Sequence, residues 1–178
     1  MQLTTQDLLD RHEASLCDHK SLPLFSELAD VGVFPRIFII SCVDPRCVPE
    51  NIFGIRPGEV DAVVFRVAGG NSQFALNSLL AVDTLAGLME CIIIQHTDCG
   101  ATMFRDANIK DELKKRAPDM GLEIESLEFG QITGTLEENV KKSMDFLRMS
   151  PLVRPALKSK IRGFVYDIIT GKLKEVLA

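Results

Sequence analysis

Tryptophan is absent from this chain, Tyr166 is its only tyrosine, and histidine occurs three times. Aromatic platforms for stacking bases or sugars are therefore scarce. A basic excess is missing too. Lys and Arg number 20 against 25 Asp and Glu, a formal net charge of −5, so little is available to neutralise a phosphate backbone and a general nucleic-acid binder is disfavoured. The densest basic stretch, Lys110 to Arg116, carries Asp111 and Glu112 within it and reads as a solvated helix face. No apolar run approaches the roughly 20 residues of a membrane span. Asp7, Asp10 and Glu13 stand where a leader or transit peptide avoids acids. Five cysteines without a secretory leader do not make a disulfide framework. The expectation is a cytoplasmic protein whose thiols stay reduced and free to bind metal.

What is present suits one ordinary globular domain over residues 1–178, with 46% hydrophobic and 25% charged residues. Arg36 to Cys42, Asp61 to Arg66 and Cys91 to His96 are short, β-branched and nearly continuous in hydrophobicity, the signature of parallel strands buried on both faces. Ser72 to Leu88 and Thr135 to Met149 follow a helical period, whereas Met120 to Gly130 reads as irregular. Ile161–Asp167 and Lys172–Val176 alternate around Thr170-Gly171, a hairpin signal. The order predicts a three-layer α/β domain with a mainly parallel central sheet and a C-terminal β-hairpin. Residues 1–30 differ in character: Leu3, Leu8, Leu9 and Leu16 form an apolar stripe on an N-terminal helical arm. That stripe either pads the domain's own sheet or embraces a second subunit.

Three soft ligands fall at predicted strand ends. Cys42 closes the first strand, His96 closes the third, and Cys99 follows in the turn. Ligands of open α/β sheets collect outside the carboxyl ends of strands where the strand order reverses, so these side chains converge if their strands flank that point. Two thiolates and one imidazole, with no fourth Cys or His at ligand spacing, match a catalytic zinc ion that keeps one position for water. His12 and His19 lie in the arm and lack such spacing. Asp44 sits two residues beyond Cys42, able to bind the metal or to accept a hydrogen bond from its water. Arg46 can hold that carboxylate through a bidentate pair. Cys91 and Cys47 read as packing residues, and Asp98 as a turn residue.

Cys42-x-Asp44-x-Arg46 together with His96-x-x-Cys99-Gly100 resembles the β-class carbonic anhydrases, in their compact microbial branch. The similarity extends through Arg56-Pro57-Gly58-Glu59, Arg66-Val67-Ala68-Gly69-Gly70 and the terminal Arg162 to Leu173 stretch. The resemblance implies one zinc per subunit on Cys42, His96 and Cys99, Asp44 and Arg46 as a catalytic dyad, and Gly100, Val67 and Gly69 against the substrate. It also implies reversible hydration of carbon dioxide to bicarbonate, and self-association as a homodimer or a dimer of dimers. Departures are visible. Val67 stands where the family usually has Asn, Arg56 falls near the substrate-contacting Gln of plant-type enzymes, and the Trp-based bicarbonate pocket of some members cannot exist. Val43, Val48 and Val67 lend the pocket mouth an apolar cast, which favours an alternative on the same scaffold: hydrolysis of carbonyl sulfide to hydrogen sulfide and carbon dioxide. A non-catalytic zinc scaffold is the third reading, and the Asp44–Arg46 pair argues against it.

Overall fold

The computed structural model describes residues 3–56 and 58–177, so Pro57 of the Arg56–Glu59 segment lies outside them. The chain divides into two compact units, Met1–Val33 and Phe34–Ala178. In the first, α1 (Thr5–Ser15) starts on a capping box. Asp7 N donates to Thr4 Oγ1 at 3.2 Å while Thr4 N donates to Asp7 Oδ2 at 2.6 Å, which satisfies two N-terminal amides at once. A second helix, α2 (Phe25–Asp30), follows, and no residue of either helix is buried.

The second unit alternates strands and helices. Its elements are β1 (Ile37–Cys42), α3 (Pro49–Phe53), β2 (Ala62–Val67), α4 (Leu76–Ala86), β3 (Glu90–His96), α5 (Asp106–Arg116), α6 (Gly121–Ser126), α7 (Leu136–Met149), α8 (Pro155–Lys158), β4 (Ile161–Tyr166) and β5 (Leu173–Val176). The strands form one sheet in the order β2-β1-β3-β4-β5. The first four are parallel; β5 returns antiparallel to β4 through the expected hairpin, closed by Gly171 N to Asp167 O at 2.8 Å. The apolar continuity of β1 and β3 has its cause here, since Phe38, Ile39, Ile40, Ile93 and Ile94 are all buried.

One sheet face packs on α4 and α7. Val140, Met144 and Leu147 recur at helical spacing and join Phe38, Ile40, Leu79 and Ile93 in the main core. On the other face Ile39, Cys47 and Ile94 are buried, with Ile52 of α3 against them. Asp83 of α4 is tied to Arg154 before α8 by a fork, Nε to Oδ2 at 2.8 Å and Nη2 to Oδ1 at 2.6 Å, and it also accepts from Leu88 N at 2.9 Å. The 120–130 segment differs from its irregular expectation by containing α6. That helix is too short to show a period, and is held by buried Ile124 and by α5, whose Lys114 pairs with Glu125 and whose Lys110 Nζ reaches Glu125 O at 2.6 Å.

β1 connects to β2 on one side and, after α4, the chain passes to β3 on the other. The strand order therefore reverses between β1 and β3, and the loops that leave their carboxyl ends diverge around a crevice.

Candidate metal centre

Cys42 ends β1 and His96 ends β3, on neighbouring strands, and the short 97–99 turn brings Cys99 back beside them. One ligand atom from each of Cys42, His96 and Cys99 lies within 4.8 Å of the others, and all three residues are buried. The two sulfurs are 3.7 Å apart. His96 Nδ1 is 2.9 Å from Thr97 O; a carbonyl only accepts, so Nδ1 carries the proton and Nε2 keeps a free lone pair. That Nε2 is buried and has no hydrogen-bond partner among the described residues. A soft donor set with an orphaned imidazole nitrogen among two sulfurs fits a zinc ion.

The thiols point the same way. A hydrogen bond from Cys99 draws the Cys42 thiol down to about 4, and the same contact pushes the Cys99 thiol up. Two thiolates this close repel each other, and a divalent cation is what lets both ionise. Cys47 and Cys91 are different: burial pushes them to about 11 and about 12, and they are packing residues.

Asp44 lies on the open side of this cluster. Its Oδ2 is 3.8 Å from His96 Nε2, and its amide approaches Cys42 Sγ at 3.5 Å. Arg46 grips the carboxylate with Nε to Oδ1 at 2.9 Å and Nη2 to Oδ2 at 2.7 Å, and adds its own amide to Oδ1 at 2.9 Å. These bonds hold Asp44 well below the usual carboxylate range.

The sequence profile of the carbonic anhydrase family matches residues 37–173. Among similar proteins, β-carbonic anhydrase 1 of Mycobacterium tuberculosis is 33% identical over 142 residues, covering 79% of this chain and 82% of that one. The chain belongs to the β-carbonic anhydrase family. The solved carbonic anhydrase from Glaciozyma antarctica matches with a TM-score of 0.81 and 32% identity, over 99% of this chain and all of that one. A carbon disulfide hydrolase of Acidithiobacillus thiooxidans is 27% identical over 157 residues, covering 78% of this chain and 76% of that one. The family thus spans more than one small-molecule reaction.

In this β-carbonic anhydrase family member the ligand cluster opens onto a cavity of about 310 Å³. Besides Cys42, Asp44 and Cys99, its wall is Val43, Ala68, Gly69, Gly100, Ala101 and Phe104. Gly69 and Gly100 are thus on the cavity, for opposite reasons. Gly69 has φ +64°, and a Cβ there would stand 2.7 Å from Gly130 O; at Gly100 a Cβ would meet no atom within 4 Å. No crowding of protein atoms demands glycine at position 100, which leaves its backbone open to the cavity. Val67 is placed elsewhere. The two-residue period puts it on the same face as Val63 and Phe65, and its side chain packs against the cluster around Phe38 and Ile40. Only its carbonyl serves the site, accepting Val43 N at 3.1 Å. Val48 lies with Pro45, Asn51, Ile52 and Tyr166 in a separate hollow beside Arg46. Of the three valines assigned to the mouth, Val43 alone lines the cavity.

Two residues do more than the sequence suggested. Asp98, read as a turn residue, accepts from Arg46 Nη1 at 2.8 Å through Oδ2 and from Nη2 at 2.9 Å through its carbonyl. Arg66, at the end of an otherwise apolar strand, donates to the carbonyls of Cys42 (3.1 Å), Asp44 (2.7 Å) and Cys47 (3.3 Å), and so shapes the loop that carries Cys42 and the dyad. An arginine inside an apolar run, and an acid between two ligands, were the available signals.

Proposed function

We propose that this chain catalyses the reversible hydration of carbon dioxide to bicarbonate, with Cys42, His96 and Cys99 holding one zinc ion per subunit and Asp44 and Arg46 as its catalytic pair. The carrying observation is the Asp44 carboxylate, forked by Arg46 and 3.8 Å from the unpartnered Nε2 of His96. A zinc ion held there supplies Lewis acidity, lowering the pKa of water from about 16 towards about 7.

The chain's own groups then divide the work. Held ionised by Arg46, Asp44 only accepts hydrogen bonds, so a reacting water or a bicarbonate hydroxyl must turn its O–H towards Oδ2. That requirement aligns an oxygen lone pair with the carbon of carbon dioxide and disfavours anions that carry no proton. The wall of Val43, Ala68, Ala101 and Phe104 suits a substrate that has no hydrogen to donate, and the Gly100 and Gly69 backbone completes its seat. Hydration releases a proton. His96 has committed Nδ1 to Thr97 O, and Asp44 lies too far below neutrality to carry one, so the proton leaves to solvent or buffer.

The same wall supports a second reading, hydrolysis of a sulfur-bearing analogue such as carbonyl sulfide, because sulfur is a poor hydrogen-bond acceptor and loses little in an apolar cavity. Relatives named carbon disulfide hydrolases add weight to it. Stopped-flow carbon dioxide hydration, measured beside sulfide release from carbonyl sulfide and carbon disulfide on one zinc-loaded preparation, separates the readings. Fast sulfide release without detectable hydration would sink the first.

Self-association as a homodimer or a dimer of dimers goes with this reading. Leu3, Leu8, Leu9 and Leu16 of the 1–30 arm are each about half exposed, an apolar series suited to a second subunit. No helix among the described residues is long and apolar enough to cross a membrane, and we place the enzyme in the cytoplasm with its thiols reduced. Sedimentation at micromolar concentration tests the assembly; a monomer would refute it.

A further inference from the structure

Arg46 is shared. Its Nε–H and one Nη2–H go to the Asp44 carboxylate, one Nη1–H goes to Asp98 Oδ2, and the second Nη2–H goes to Asp98 O, so four of its five side-chain N–H donors are committed. The two carboxylates occupy different settings. The Asp44 side chain is 13% exposed and faces the ligand cluster, whereas that of Asp98 is 75% exposed and lies on the outer side of the guanidinium. Asp98 also has φ +54°, among the described residues the only positive φ outside glycine. That left-handed turn, which an aspartate tolerates better than most residues, aims both its carbonyl and its carboxylate at one guanidinium.

We propose that Asp98 is the positioning residue of this site: it holds the outer edge of Arg46, so that the guanidinium presents the Asp44 carboxylate to the metal ligands in one orientation. The link is also one of chain order. Asp98 lies between ligands His96 and Cys99, while Arg46 lies four residues beyond ligand Cys42, so the Arg46–Asp98 contact joins the loops that leave β1 and β3. Without it, Arg46 is anchored to the site by Asp44 alone, and an arginine whose side chain is 47% exposed can swing towards water and take the carboxylate with it. Asp98 is not one of the residues that line the cavity; it acts through Arg46. The inference rests on the zinc-dependent reading above.

The test compares full-length Asp98→Gly, Asp98→Asn and Arg46→Ala proteins, each loaded with zinc for kinetics and with cobalt(II) for visible absorption. Glycine accepts the left-handed turn, so Asp98→Gly removes the carboxylate without new strain. Loss of this outer support lowers kcat for hydration about ten-fold while KM stays within about two-fold. The cobalt bands of Asp98→Gly shift in the same direction as those of Arg46→Ala, and Asp98→Asn, which keeps an acceptor at the same place, recovers most of both losses. A wild-type cobalt spectrum in Asp98→Gly overturns the inference, whether or not Arg46→Ala changes its own. So does an Asp98→Asn protein as impaired as Asp98→Gly. Should the wild type fail to hydrate carbon dioxide, the proposed reaction falls and the cobalt comparison still decides the role of Asp98.

Discussion

His96 Nε2 and Asp44 Oδ2 face each other across 3.8 Å, and among the described residues only the carboxylate has a hydrogen-bonding partner. The imidazole supplies a lone pair to the ligand cluster, and the carboxylate supplies an acceptor beside the position the cluster leaves open. On the proposed reading the two belong to different tasks, binding and turnover. Asp44→Asn should separate them: zinc content stays near one per chain while kcat/KM for hydration falls about 100-fold, since the amide can neither keep the Arg46 fork nor act solely as an acceptor. Metal analysis beside stopped-flow kinetics reads both, and near-normal activity would remove Asp44 from the catalytic pair.

If the three side chains of the cluster hold the proposed zinc, its removal should act on the fold through them. A ligand that binds only the folded chain stabilises it by about 2.7 kcal/mol at a free concentration a hundred times its Kd. Chelated protein should melt at a lower temperature than the loaded form, and added zinc should restore Tm in a concentration-dependent way. Cys42→Ser and Cys99→Ser should weaken that restoration strongly. Cys91→Ala should not, because that buried thiol sits in the main core; its cost is one of packing. A Tm indifferent to zinc would show that the cluster does not bind the ion.

Gly100 and Gly70 make opposite predictions from one substitution. A Cβ at Gly100 meets nothing within 4 Å and would project beside the cavity; at Gly70, where φ is +63°, it would stand 2.6 Å from Ile94 O. Gly100→Ala should fold with wild-type stability yet lose activity, and lose more with carbon disulfide than with carbon dioxide, because sulfur is the larger atom. Gly70→Ala should cost at least about 2 kcal/mol in denaturant unfolding. Full activity in Gly100→Ala would put the substrate elsewhere.

Much of this was legible in advance. The buried strands announce themselves by continuous β-branched runs, and the ligand triad by residue type at strand ends, because both signals are local in sequence. What stayed hidden depends on geometry between segments. Val67 was assigned to the substrate by its place in a motif, yet strand alternation sends its side chain into the core. Asp98 and Arg46 are 52 positions apart, and their contact exists only because β1 and β3 are neighbours. The α6 helix is too short to carry a period and is held by contacts to α5.

The Asp83–Arg154 fork predicts a pH effect on stability. Arg154, chiefly through its hydrogen bonds, holds the Asp83 carboxyl below its usual range. A carboxyl with a depressed folded-state pKa contributes stability that is fully present above its unfolded value, near 3.9, and is lost as pH falls through the folded one. Asp83→Asn should therefore be less stable at neutral pH by about 2 kcal/mol, with the gap narrowing on acidification below about pH 4. Urea titrations across that range would show it; a constant gap would mean the fork contributes no proton-linked stability.

Proton release sets the last expectation. His96 is the only histidine after residue 19, and its Nδ1 is bound to Thr97 O while Nε2 faces the ligand cluster. Arg46 holds the Asp44 carboxyl well below the usual carboxylate range, so it is a poor acceptor for the proton that the proposed hydration would liberate. The remaining cavity wall is apolar side chain and glycine. No side chain among the described lining residues can relay the proton near neutrality, and an external base must collect it. Raising the concentration of an imidazole-type buffer at constant ionic strength should raise kcat until it saturates, and leave kcat/KM, which reports the steps up to bicarbonate formation, unchanged. A kcat insensitive to buffer over a wide range would mean that a relay exists outside this cavity.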